Sequence, residues 1–328
     1  SLFALLMQLC SRRYLPELGY KSINENAPNL ILGRFFISGL HSNRGINMSK
    51  KLLKILLIII AAACVVVCAV SIIFIWQYKK GLSDHEALVS QVKSSFSAVR
   101  DKSQTEDDAQ LPEATEEPVV DLPVDFAALE EINPDIYAWV EIPGTTINYP
   151  VLQHPTKDEY YNDHGADGKY SPYGSIFSQA SYNGRDFHEP VTVLYGHNLV
   201  YGMENMFAML NNYADADFFD AHDTIYIYTP DSVLEYRVFA AYVHSNEHIL
   251  AYRDFTDAVV FDEYFKSIRE TDDVYSNFND EYMPAAEDRV LTLSTCFNRN
   301  NRQRYIVQAV LVDEMKAVFN PADSAEGN

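Results

Sequence analysis

Residues 290–296 read Val-Leu-Thr-Leu-Ser-Thr-Cys, a short run rich in β-branched and apolar side chains. A run of this length and composition reads as a strand. Alternation puts Thr292, Ser294 and Cys296 on one face and Leu291 and Leu293 on the other, so Cys296 ends a strand on its polar face. A cysteine taken at random behaves as a small buried hydrophobe. The polar face and the strand terminus point instead to a reactive thiol. An unassisted thiol is mostly protonated at neutral pH, so reactivity requires a cation or an imidazole beside it.

Similar runs recur on either side of this one, at Tyr137–Ile142, Thr146–Leu152, Ser175–Phe177, Val191–Tyr195, Thr224–Tyr228, Val233–Val243 and Tyr305–Val312. With 290–296 they imply a mostly antiparallel barrel or sandwich. Pro143-Gly144 and Pro230-Asp231 supply turn punctuation between neighbouring runs. Two helices are expected, Asp125–Ile132 and Thr256–Arg269, the second presenting Val260, Phe261, Tyr264, Phe265 and Ile268 on one face.

Two kinds of partner for the thiol stand out. His197 lies in Tyr195-Gly196-His197-Asn198, just past an apolar strand at a glycine-containing turn, where a rigid scaffold can hold a side chain at a rim. Arg299, Arg302 and Arg304 follow Cys296 within eight residues. Arg302 and Arg304 share strand parity, so spacing does not choose between them, although Arg304 abuts the apolar Tyr305-Ile306-Val307. A guanidinium there can stabilise a thiolate or a developing oxyanion. His244 and His248 have a His-x-x-x-His spacing, but their loop-like setting supplies no further ligand set, so no metal and no cofactor is expected.

The chain as a whole separates into two electrostatic parts. Residues 1–80 carry ten basic and two acidic side chains, whereas 81–328 carry fifteen basic and forty-four acidic, a net charge of −29. A nucleic-acid partner would have to approach against that field and is excluded. Ile55–Trp76 is twenty-two residues without a charge, long enough for one transmembrane helix. Lys50, Lys51 and Lys54 precede it, and Trp76, Tyr78, Lys79 and Lys80 form an interfacial belt after it. The basic excess on the N-terminal side places 81–328 outside the cytoplasm. The apolar run is too long for a cleaved signal peptide, which favours an uncleaved signal anchor.

Residues 1–54 then form a cytoplasmic segment, of which 1–47 precede a natural start at Met48. Residues 77–124 read as an amphipathic stalk helix carrying Leu88, Val92, Phe96 and Val99, followed by an acidic, Pro-punctuated linker over 103–124. The globular domain is expected over 125–318, with a disordered tail over 319–328. Cys296 is the single cysteine of the exterior part, which excludes an internal disulfide there.

The Thr292-Leu-Ser-Thr-Cys296 motif, the arginine eight residues later before Tyr-Ile-Val, and the Tyr-Gly-His-Asn turn together resemble a class B sortase. The resemblance extends through Asn133-Pro134-Asp135, Trp139–Thr145, Asn148–Val151 and Gly174–Phe177, and covers roughly residues 125–315. It implies a closed eight-stranded β-barrel with peripheral helices, one of them between the sixth and seventh strands. It also implies a membrane-anchored cysteine transpeptidase that cleaves a C-terminal sorting motif after Thr through a thioacyl intermediate. The acyl group would pass to an amine of a peptidoglycan precursor or of a pilin subunit. The family's catalytic cysteine, histidine and arginine map onto Cys296, His197 and Arg304, with Ser294, Thr295 and Asn198 as substrate-binding candidates. Ser178-Gln179 stands where many relatives carry an Asp, so no essential aspartate is expected. A non-catalytic barrel that binds wall peptides or proteins, and a thiol hydrolase, are the competing readings.

Overall fold

Pro143 and Gly144 turn the chain between the first two long strands: Gly144 adopts a φ of +79°, and Thr145 N–H donates to the Ile142 carbonyl at 3.2 Å. Proline at the first corner and a left-handed glycine at the second are what a type II turn requires. The structure, a computed structural model, describes residues 50–94, 119–198, 206–271, 273–297 and 300–319. The N-terminal segment before Lys50, residues 95–118 of the expected stalk and linker, Arg299 and the tail after Phe319 lie outside them. The chain divides into two units, Ser1–Ala69 and Val70–Asn328.

The strands are β1 (Val120–Asp121), β2 (Ile136–Glu141), β3 (Asn148–Leu152), β4 (Ile176–Phe177), β5 (Val191–Tyr195), β6 (Thr224–Tyr228), β7 (Ser232–Ser245), β8 (Asn277–Phe278), β9 (Val290–Phe297) and β10 (Asn300–Val318). Hydrogen bonding runs β10-β9-β5-β4-β3-β2-β6-β7, and β7 pairs back onto β10. Eight strands therefore close into a barrel, and they are the eight runs expected from the sequence. Closure removes the exposed edges that an open sheet would present. The pairs β3–β4 and β5–β9 are parallel, and the rest of the barrel is antiparallel. The parallel β5–β9 pair brings the ends of both strands to the same rim.

Among the described residues the α-helices are α1 (Lys50–Lys93), α2 (Phe126–Ile132), α3 (Ala216–Ala221) and α4 (Ala258–Arg269). Asp125 caps α2 by accepting from Ala128 N–H at 3.0 Å, and Asp257 caps α4 by accepting from Val259 N–H at 2.9 Å. Each side-chain oxygen satisfies one of the orphan donors at a helix start. Side chains such as Val140, Leu194, Leu293 and Val307 fill the barrel. Phe261, Tyr264, Phe265 and Ile268 of α4 pack on the outer face against Val193, Tyr242 and Ile306. A third cluster joins Leu129 of α2 to Trp139, Leu152 and Tyr228.

Two features depart from the expected boundaries. The membrane span and the stalk are one continuous helix, α1. Its Ile58, Val65 and Ile72 are exposed apolar side chains, and the uncharged, apolar stretch 55–76 of this helix is a candidate membrane anchor. Order also begins before Asp125: β1 pairs in parallel with the end of β10, and Leu122 and Val124 are buried.

Candidate active site

Cys296 sits at the end of β9, where Arg304 of β10 is its direct cross-strand partner. Arg304 Nη1 lies 3.8 Å from Cys296 Sγ and also donates to the Gln303 carbonyl at 3.3 Å. Of the two arginines that spacing leaves open, Arg304 is the one opposite Cys296, past a register shift between Asn300 and Arg304. Because the chain bulges there, simple alternation does not carry from Cys296 through the turn. Arg302 is exposed, and its carbonyl accepts from Asn246 N–H at 3.1 Å.

The polar face of β9 is not a solvated one. Thr292 and Ser294 are buried, and of the three only Cys296 is partly open. Gln308 Nε2 donates to Thr292 Oγ1 at 3.0 Å, and Tyr242 OH donates to Gln308 Oε1 at 3.1 Å. Tyr242 and Tyr264 share a further hydroxyl bond of 3.0 Å. This chain satisfies the polar groups under the helix, as burial requires. Burial raises both phenols above the ordinary tyrosine range and keeps them neutral.

The histidine turn is tied to the cysteine strand at three successive residues. Gly196 N–H donates to the Ser294 carbonyl at 3.1 Å, Thr295 Oγ1 donates to the Gly196 carbonyl at 2.8 Å, and Asn198 Nδ2 donates to the Cys296 carbonyl at 2.8 Å. The Thr295 hydroxyl and the Asn198 amide nitrogen thus tie the turn to the strand. Gly196 has no space for a side chain, since a Cβ would meet Ile176 and would lie 2.7 Å from Phe207. His197 Nε2 stands 2.7 Å from the Asn162 carbonyl oxygen. A carbonyl only accepts, so Nε2 carries the proton and Nδ1 is the nitrogen left to exchange one. Asn162 ends a short 3₁₀ turn, Tyr160–Asn162.

Several contacts at this rim were not expected from the sequence. Tyr195 is Cα partner to Ser294, and its ring lies 5.6 Å from Phe177 and 6.3 Å from His248. Burial raises its phenol, Glu159 and Tyr182 push in the same direction, and Arg304 opposes them. His248 Nδ1 accepts from Ala251 N–H at 3.0 Å, so its Nε2–H donates to Gln179 Oε1 at 2.7 Å. Gln179 in turn donates to Glu159 at 2.6 Å. His244 is the Cα partner of Arg304 on the other side from Cys296. These are long-range contacts across strands and loops, and no local spacing announces them.

A barrel whose adjacent strands present a thiol beside a guanidinium, with an imidazole turn bound to the same strand end, defines a class of thiol acyl-transfer proteins. The Sortase domain family profile matches residues 140–312. Sortase B of Listeria monocytogenes is 31% identical over 186 residues, covering 56% of this chain and 72% of the relative. The structure resembles a Staphylococcus aureus sortase B–substrate complex with a TM-score of 0.50 and 28% identity, covering 57% of this chain and 84% of the other. It resembles sortase B from Bacillus anthracis with a TM-score of 0.56 and 23% identity, covering 71% and 99%, a likeness of fold. The chain belongs to the sortase family, class B, a family of cysteine transpeptidases.

Proposed function

We propose that this protein is a membrane-anchored transpeptidase in which Cys296, His197 and Arg304 carry the chemistry. The supporting observation is the 3.8 Å approach of Arg304 Nη1 to Cys296 Sγ. The sulfur attacks the carbonyl carbon after Thr in the C-terminal sorting motif of a surface protein. The S–C bond forms, the peptide C–N bond breaks, and His197 gives its Nδ1 proton to the leaving amine. An amine of a peptidoglycan precursor or a pilin subunit then attacks the thioacyl carbon and loses its proton to Nδ1, and sulfur departs as the thiolate. Arg304 stabilises negative charge on sulfur between turnovers and on the carbonyl oxygen as each tetrahedral intermediate forms. Ser294, buried on the cysteine strand, and Thr295 and Asn198, which tie that strand to the histidine turn, are the substrate-binding candidates beside the cysteine. Residues 55–76 anchor the chain, and the lysine-rich N-terminal side keeps the barrel outside the cytoplasm.

The test is to mix the full chain in detergent with sorting peptides and a panel of amines and to follow products by mass spectrometry. A thioacyl adduct on Cys296 and an amine-dependent product are expected. Product released only to water identifies a hydrolase, and no adduct with any peptide removes both enzymatic readings.

A further inference from the structure

The last two turns of α1 lie in a groove whose walls also support His197. Leu88, Val89 and Val92 face Tyr149, Gly174 and Met206 there, and Val92 is 1% exposed. Two routes lead from this groove to the imidazole. On one, Leu88 Cδ2 lies 3.0 Å from where a Cβ of Gly165 would stand, so it fills the space of the missing side chain. Gly174, with a φ of +61°, packs so closely on the 3₁₀ turn that its Cβ would sit 2.6 Å from the Asn162 oxygen. That oxygen is the acceptor for His197 Nε2–H. On the other route, Lys93 Nζ lies 4.3 Å from the centre of the Tyr149 ring. The Tyr149 hydroxyl accepts from Met206 N–H at 3.1 Å, Met206 bridges to Asn198, and Phe207 N–H donates to the His197 carbonyl at 3.1 Å.

We propose that the C-terminal end of α1, through Leu88, Val92 and Lys93, is a positioning element for His197, holding both the Asn162 carbonyl and the Met206 bridge that fix the imidazole. This rests on the transpeptidase reading and extends it, because the end of α1 becomes part of what the histidine needs.

The experiment compares full-length wild type, Val92→Ala, Val92→Ile and Ile132→Ala in detergent. Ile132 packs against the same apolar cluster from α2, away from the groove, and controls for loss of packing alone. Val92→Ala is expected to lower kcat about tenfold with little change in KM, as misplacement of a catalytic group does. Val92→Ile restores turnover, and Ile132→Ala leaves it near wild type. Nuclear magnetic resonance gives a second readout: the His197 ring proton, assigned with His197→Gln, exchanges slowly in wild type and rapidly in Val92→Ala. Wild-type kcat in Val92→Ala, equal loss in Ile132→Ala, or unchanged proton exchange would overturn the proposal. A wild type that forms no adduct with any sorting peptide would instead remove the transpeptidase reading, and proton exchange would still decide the positioning role.

Discussion

Arg304 and Cys296 are direct partners across the β9–β10 pair, and the guanidinium reaches the sulfur at 3.8 Å. Their positions are set by backbone hydrogen bonds of two barrel strands, so the contact does not depend on ordering a loop. His244 on β7 completes the row on the far side of Arg304. The sheet therefore presents thiol, guanidinium and imidazole on three adjacent strands, with His197 brought in from β5.

Replacement of Arg304 by Lys keeps the charge and loses the planar fork that addresses sulfur and carbonyl oxygen together. Arg304→Lys is expected to lower kcat/KM by about a hundredfold, the size of effect seen on removal of an oxyanion donor. Arg302→Lys, at an exposed position on the bulge, stays within about threefold of wild type by the same reasoning. Steady-state transpeptidation with a sorting peptide measures both, and the reverse ranking would reassign the arginine.

Asn198 offers a different test, because its amide holds the histidine turn to the Cys296 carbonyl. Asn198→Asp is nearly isosteric but cannot donate to a carbonyl. Its kcat should fall about tenfold while KM changes little, since the loss is one of geometry between catalytic groups. Circular dichroism checks that the barrel is intact. A rise in KM with kcat preserved would mean that Asn198 contacts substrate instead.

The strands were legible because their period is short and the faces differ in chemistry. Leu291 and Leu293 point into the barrel while Thr292, Ser294 and Cys296 face outward, as alternation requires. Residue spacing did not show which of Arg302 and Arg304 lies opposite Cys296, because the pairing passes a register shift that leaves no mark in residue type. The acceptor for His197 is a backbone oxygen, which any residue at position 162 would supply. The continuity of α1 through Trp76, Lys79 and Lys80 was also hidden, since charged residues end a membrane span without ending a helix. β1 and β8 are two residues each, too short to show a period.

Gly196 is required by packing. A methyl group there would meet Ile176 and Phe207, both buried side chains of the barrel interior. Overpacking of this kind typically costs about 1–3 kcal/mol, so Gly196→Ala should lower the thermal midpoint measurably by calorimetry. It should also slow acylation of Cys296, because His197 is the next residue.

His248 predicts how acid affects the rim. Burial lowers its pKa from the ordinary 6.5, while Glu159 and Asp158 partly oppose that shift. Its Nδ1 accepts from Ala251 N–H and its Nε2–H donates to Gln179, so protonation would set two donors against each other at Nδ1. The folded state therefore prefers neutral His248. For a group whose pKa is depressed on folding, the unfolded chain binds the proton first. Its stabilisation is complete above the unfolded value and is lost as pH falls through the folded one. Thermal midpoints measured from pH 7.5 downward should fall below about pH 6.5 in wild type, and His248→Gln should show a shallower fall over the same window. Tyr195, whose phenol burial raises, remains neutral throughout this range and adds no slope of its own. Identical pH profiles for the two proteins would show that the Glu159–Gln179–His248 link does not stabilise the loop between β7 and α4.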